Sequence, residues 1–135
     1  RYKYISRNGR VDGYYSGYTF ANQLGVTTQV PYMVEIVSNN ASARVREVNL
    51  HGRRVLLRKA RVLVTNENYR ILQFLDFLKD IDQYADENDK ILSDRIRKYV
   101  VDVQIKKTEI DCYIKQYPDR IYRYIYEMRL YDVFA

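Results

Sequence analysis

RRVLLRKARVLVTNENYRILQFLDFLKDI, residues 53 to 81, decides the fold class, because the period of its apolar residues changes part-way along. Up to Val64 the chain alternates, with Val55 and Leu57 on one face and Leu56 and Arg58 on the other, as a strand requires, and Val62 to Val64 extend or pair again. From Tyr69 onward Ile71, Phe74, Leu75, Leu78 and Ile81 recur every three to four residues, with Leu72 and Phe77 widening the stripe, as an amphipathic helix requires. Thr65-Asn66-Glu67 stands at the change, with residue types that start helices. A strand-rich segment therefore hands over to a helical one.

Toward the N-terminus, His51-Gly52 makes a turn that pairs RVREVNL (44–50) with the strand above as a hairpin, and Asn39-Asn40-Ala41-Ser42 is a further turn. YMVEIV (32–37) is a β-branched run fit for a buried strand, and Pro31 forces Val30 toward extended geometry. Before it, Tyr18, Ala21 and Leu24 recur at helical spacing between Ser16, a helix-start residue, and Gly25, a left-handed cap. The opening residues alternate Tyr2, Tyr4 and Ser6 with Lys3, Ile5 and Arg7 and then meet the hairpin dipeptide Asn8-Gly9. Toward the C-terminus, DQYADEND (82–89) reads as an acidic linker, followed by a helix carrying Leu92, Ile96, Tyr99, Val100 and Val103. Thr108 and Asp111 have the form of a capping box, Ile110, Tyr113, Ile114 and Tyr117 share a face, and Pro118 starts a last helix with Ile121, Tyr124, Ile125 and Met128. The expectation is an α+β fold: a strand-rich N-terminal half forming one sheet, packed against three to four C-terminal helices, as one domain over residues 1–135.

Charge divides with the fold. Residues 1–61 hold 11 Lys+Arg against 3 Asp+Glu, a balance of +8, while residues 62–135 hold 12 against 14, a balance of −2. Arg44, Arg46, Arg53, Arg54, Arg58, Lys59 and Arg61 face Glu47 alone within residues 44–61. A polyanion is the partner this stripe suits; the competing reading is an edge hairpin kept soluble by its arginines. No apolar run approaches the roughly 20 residues that cross a bilayer. One cysteine, Cys112, and no signal-peptide pattern lead to the expectation of a reducing, cytoplasmic setting.

Reaction machinery is scarce. One histidine and one cysteine build none of the common zinc sites, and no GxSxG, GxxxxGK[ST] or GxGxxG string occurs. His51 lies at a hairpin tip, where exposed turn histidines far outnumber general bases. Asp76, Asp80, Asp82, Asp86, Glu87 and Asp89 invite a Mg²⁺ reading, yet they alternate with core positions as a solvated helix face does. The expectation is a protein that is not an enzyme and carries neither cofactor nor metal. Tyrosine is the compositional outlier, 15 of 135 residues. Tyr113, Tyr117 and Tyr124 suit the core, while Tyr2, Tyr4, Tyr14, Tyr15, Tyr18 and Tyr32 gather around the first helix, where tyrosine serves interfaces and base stacking.

GYYSGYTFANQLGVTTQVPYMVEIVSNN (13–40), with LGVTTQVP at 24–31 as its sharpest part, resembles the AbiEi-type antitoxin and transcriptional-regulator family. RRVLLRKAR and ILQFLDFLKDI follow in the order of that family, so the resemblance spans residues 13–81. It implies a protein that represses its own promoter through an N-terminal winged helix and counters a nucleotidyltransferase-like toxin. No winged helix is readable in residues 1–24 and the first residue is Arg1, so the expected domain is the one that follows the winged helix, in a fragment that lacks it. Within TTQVP, Thr27, Thr28 and Gln29 are expected to satisfy loose helix-end carbonyls and neighbouring backbone groups while Pro31 sets the start of the strand. Tyr15, Tyr18, Thr28 and Gln29 are the candidate contacts to a protein partner.

Overall fold

The computed structural model describes residues 3–29, 31–84 and 89–135; Tyr2, Val30, Asp86, Glu87 and the side chain of Asp89 lie outside the described residues. The fold is α+β, with the strand-rich N-terminal half packed against the C-terminal helices. The strands are β1 (Ser6–Arg7), β2 (Arg10–Val11), β3 (Gly13–Tyr15), β4 (Val34–Ser38), β5 (Val45–Leu50) and β6 (Arg53–Lys59). They form two sheets where one was expected: β1 and β2 pair as a small hairpin, and the main sheet has the order β3-β4-β6-β5. In the main sheet β4 runs parallel to β6, with Ile36 beside Leu57, and every other pairing is antiparallel. The hairpin at His51-Gly52 forms as expected, both residues at positive φ, and places β5 outside β6. Strand β6 ends at Lys59, so Val62 to Val64 neither extend nor pair.

Helix α1 (Gly17–Leu24) lies between β3 and β4, and the C-terminal half carries α2 (Tyr69–Lys79), α3 (Ile81–Tyr84), α4 (Asp89–Val103), α5 (Lys107–Tyr113) and α6 (Arg120–Glu127). That makes five helices beyond the strands among the described residues, rather than three to four. The long stripe breaks at Asp80, and the first part of the expected acidic linker, Asp82 to Tyr84, belongs to the one-turn helix α3. The start of α2 is closed reciprocally: the Thr65 N–H donates to Asn68 Oδ1 at 2.7 Å, and the Asn68 N–H to Thr65 Oγ1 at 3.2 Å. The expected box at Thr108 does not form. Helix α5 has its N-cap two residues earlier, at Lys106, whose N–H donates to the Glu109 carboxylate at 3.2 Å, and Asp111 pairs with Lys107 at 3.0 Å.

The main sheet separates two cores. Tyr14 and Val37 on one face pack with Phe20, Ala21, Phe74, Phe77, Ile96, Ile110 and Ile121 from the helices; Val34, Ile36, Val55 and Leu57 on the other pack under Ile5 and Tyr4 of the N-terminal arm. Gly13 permits that second packing, since a Cβ there would lie 2.3 Å from the Val37 carbonyl oxygen and 2.6 Å from that of Tyr4. Tyr117 and Tyr124 are buried and Tyr113 partly so, as the sequence suggested. The helices cover the β3–β4 half of their face, and the β6–β5 half opens onto a cleft.

Candidate functional site

The cleft encloses about 1010 Å³ between the open half of the sheet and the wall made by α2 and α3. Its floor comes from alternation along β4, which aims Glu35 and Val37 toward the helices while Val34 and Ile36 enter the opposite core. Glu35 is a lone carboxylate in an apolar run, and its environment is specific. It accepts the Tyr18 N–H at 2.9 Å at the N-terminus of α1, and Arg58 lies 3.8 Å from its other oxygen. Glu35 thus performs the capping expected of Ser16, whose buried Oγ has no hydrogen-bond partner among the described residues. The wall offers Asp76, to which the Tyr14 hydroxyl donates, with Lys79 3.8 Å away and Asp80 ion-paired with both Lys79 and Arg120.

Burial raises the Asp76 carboxyl above its ordinary value of 3.8, against the lowering effects of the Tyr14 bond, Lys79 and Arg61. Burial, reinforced by the Asp76 charge, likewise pushes the Tyr14 phenol well above its usual range. The folded state therefore holds the Asp76 proton more tightly than the unfolded chain does, so this group's contribution to stability is greatest in acid and falls as pH rises through its folded value. Asp76→Asn keeps an acceptor for Tyr14 and cannot ionise. Its stability relative to the unaltered protein is expected to climb over that window and then level, in urea unfolding followed from about pH 3 to pH 7. A difference that is flat or falls with pH would contradict this.

The seven cations of residues 44–61 do not form one stripe. Arg44, Arg58, Lys59 and Arg61 lie at one end of the sheet and border the cleft, where the Lys59 N–H donates to the Arg44 carbonyl at 3.0 Å. Arg58 faces the cleft, whereas Lys59, next to it in β6, turns the other way, its Nζ 3.5 Å from the carbonyl of Ala41 in the smaller core. Among the described residues Glu35 is the one carboxylate paired with any of these four, at its 3.8 Å from Arg58. Arg61 is held in place by the Gln116 carbonyl at 2.7 Å and by the Tyr117 ring, 5.0 Å away. Arg46 and Arg53 project from the opposite face, since they pair in register with Leu57 and Leu50. Arg54 shares the cleft face but is bound by Glu47 through two hydrogen bonds of 2.8 and 2.9 Å, which hold the Glu47 carboxyl below its ordinary range. Strand alternation is the reason for the split, because consecutive arginines in an extended chain point to opposite sides.

The partner candidates divide similarly. Tyr18 lines the cleft, donating its hydroxyl to the Gln83 carbonyl at 2.8 Å and meeting Tyr84 edge-on at 5.0 Å. Gln29 also lines it, Thr28 is exposed nearby in the chain, and Tyr15 packs on the opposite face with the smaller core. The TTQVP loop is tied from within rather than by capping: Asn22 Nδ2 donates to the Gln29 carbonyl at 3.1 Å and the buried Thr27 Oγ1 accepts the Gln29 N–H at 3.2 Å. The end of α1 is closed instead by the N–H groups of Gly25 and Val26, to Asn22 at 3.0 Å and Ala21 at 3.1 Å. Beyond Pro31, Tyr32 stands 82% exposed at the cleft mouth with Arg54 4.7 Å from its ring.

Asp76 and Asp80, read from sequence as solvated, are engaged by Tyr14, Lys79 and Arg120, and Asp82 accepts the Tyr124 hydroxyl at 2.8 Å. Among the described residues no three His, Cys, Asp or Glu side chains gather as a metal set, and no helix is long and apolar enough to cross a membrane. Sequence reasoning missed Glu35, whose signal was its charge inside an otherwise apolar strand, and it grouped Tyr14 with the interface tyrosines although that side chain is buried and hydrogen-bonded to Asp76. No protein-family model, curated protein or solved structure matches this chain.

Proposed function

We propose that this chain is a non-enzymatic, antitoxin-like regulatory domain of the cytoplasm that counters a nucleotidyltransferase-like toxin and associates with DNA through Arg44, Arg58, Lys59 and Arg61. The resemblance of LGVTTQVP and its flanks supplies the regulatory part. The observation that carries the DNA part is the position of those four cations at one end of the sheet, with Glu35 the one carboxylate among the described residues paired to them. All four are exposed, so a phosphate backbone reaches them without entering the cleft, and such contacts position a duplex without reading its sequence.

Four phosphate contacts give a slope of log affinity on log salt of about −3 to −4, or roughly a hundredfold loss between about 50 and 200 mM salt. Fluorescence anisotropy with a labelled duplex measures this directly. Arg58→Glu with Arg61→Glu should flatten the slope and weaken binding far more than Arg46→Glu with Arg53→Glu, which lie on the other face. Absent or salt-insensitive binding, or equal losses from both pairs, would overturn the DNA reading. A nucleotidyltransferase gene immediately downstream, and growth rescue when that protein is co-expressed with this one, are the results the antitoxin reading expects; a neighbouring gene of another kind, or no rescue, would overturn it. A second reading, a protein-interaction module without nucleic acid, is favoured by the exposed Tyr32 held against Arg54, a rigid aromatic anchor of the kind interfaces use. Tyr32→Ala would then abolish partner co-purification while DNA anisotropy stays blank.

A further inference from the structure

The outer edge of β5 carries backbone groups that nothing in the fold uses. Arg44 accepts a backbone bond from Lys59, so by the two-residue alternation of an antiparallel ladder Arg46, Val48 and Leu50 also turn their N–H and C=O groups toward β6. Val45, Glu47 and Asn49 therefore turn theirs outward, and among the described residues β5 pairs with β6 alone. A free edge six residues long is a template for another strand.

The geometry points to β5 as the acceptor of an extended, acidic segment of a protein partner, which joins the main sheet as its fifth strand. Side-chain chemistry selects the occupant. On one face of the edge Arg46, opposite Leu57 in register and preceded two residues earlier by Arg44, has no carboxylate partner among the described residues, so a strand laid alongside meets positive charge there. On the other face Val45 is 46% exposed and Glu47 is already paired with Arg54, so the same strand meets an apolar side chain beside an ion pair with no net charge. A segment alternating acidic and β-branched residues matches both faces at once. A second copy of this chain matches less well, since its β5 brings Arg44 and Arg46 of its own. This inference goes beyond the DNA reading and rests on different groups, the outward backbone of Val45, Glu47 and Asn49.

The probe is a capped seven-residue peptide alternating glutamate and valine, with a lysine–valine peptide of the same length as control. Saturable amide shifts and slowed hydrogen exchange at Val45, Glu47 and Asn49 are expected by about 1 mM peptide. Glu47→Pro removes an outward N–H without touching the bonds to β6, whereas Glu47→Ala removes only the side chain. Binding to Glu47→Pro should be at least about fivefold weaker than to Glu47→Ala, and Arg46→Glu should lose the preference for the glutamate peptide. Matched circular dichroism of the two Glu47 variants guards against unfolding, and Val45→Pro replaces Glu47→Pro if they differ. DNA anisotropy should be the same for both Glu47 variants, so failure here and failure of the DNA reading are separable. The proposal is overturned by an absence of saturable shifts, by equal binding of the lysine peptide, by equal binding to the two Glu47 variants, or by a dimer in sedimentation that Glu47→Pro dissociates.

Discussion

Phe74→Ala is expected to remove about 3–5 kcal/mol of folding stability, which is much of the roughly 5–15 kcal/mol that a domain of this kind possesses. The ring is fully buried and stacks on Tyr99 with centroids 5.9 Å apart and planes inclined by 20°. Its helix neighbours Ile71, Leu75 and Leu78 are equally enclosed, so the surroundings cannot collapse into the space vacated. The aromatic contacts extend further, Phe20 meeting Phe77 edge-on at 5.7 Å and Phe77 stacking on Tyr84 at 5.8 Å. Because Asp76 and Lys79 ride on the same helix, loosening it also disturbs the cleft wall. Urea unfolding measures the loss, and a cost under about 1 kcal/mol would mean that α2 is not docked on the sheet as described.

Gly17→Ala is expected to lower stability while strengthening anion binding, two effects that a purely structural position would not separate. Gly17 has φ +54°, and a Cβ on it would lie 2.3 Å from the Glu35 carboxyl carbon. The left-handed conformation costs a non-glycine residue about 1–2 kcal/mol. The displaced carboxylate also gives up its charge-assisted bond to the Tyr18 N–H, for a total loss of about 2–4 kcal/mol. Once Glu35 is displaced, Arg58 has no carboxylate near it among the described residues, so DNA affinity should rise about two- to fivefold at low salt. Glu35→Gln makes a companion variant. It keeps an acceptor for Tyr18 and removes the charge, so it should reproduce the gain in affinity at a smaller cost in stability. Unchanged DNA affinity in both variants would show that Glu35 does not temper the cation cluster.

Much of the architecture was legible in the residues. The change of period between Lys59 and Tyr69, the His51-Gly52 hairpin and the helix ended by Gly25 are local features, decided by side-chain alternation and by backbone angles that few residues adopt. The parallel pairing of β4 with β6 was not legible, because it joins strands with β5 between them in sequence and depends on how apolar faces are buried together. The break at Asp80 was hidden for a similar reason: the apolar stripe runs through it to Ile81, while Arg120, 40 positions away, holds the Asp80 carboxylate.

The candidate site depended still more on long-range pairing. Sequence identified seven cations as a group, but extended geometry sent Arg46 and Arg53 to one side, Glu47 neutralised Arg54, and four were left at one end of the sheet with Arg58 and Lys59 on its two faces. Composition and apolar period by themselves determined that this chain is α+β, basic in its first half and rich in tyrosine, since those properties are carried by residues near one another in the chain. Only the tertiary structure decided which charges share a surface, which carboxylate tempers them and which strand edge stays open. Those outcomes turn on register and layer packing between segments far apart in sequence, where a shift of one residue reverses every side chain.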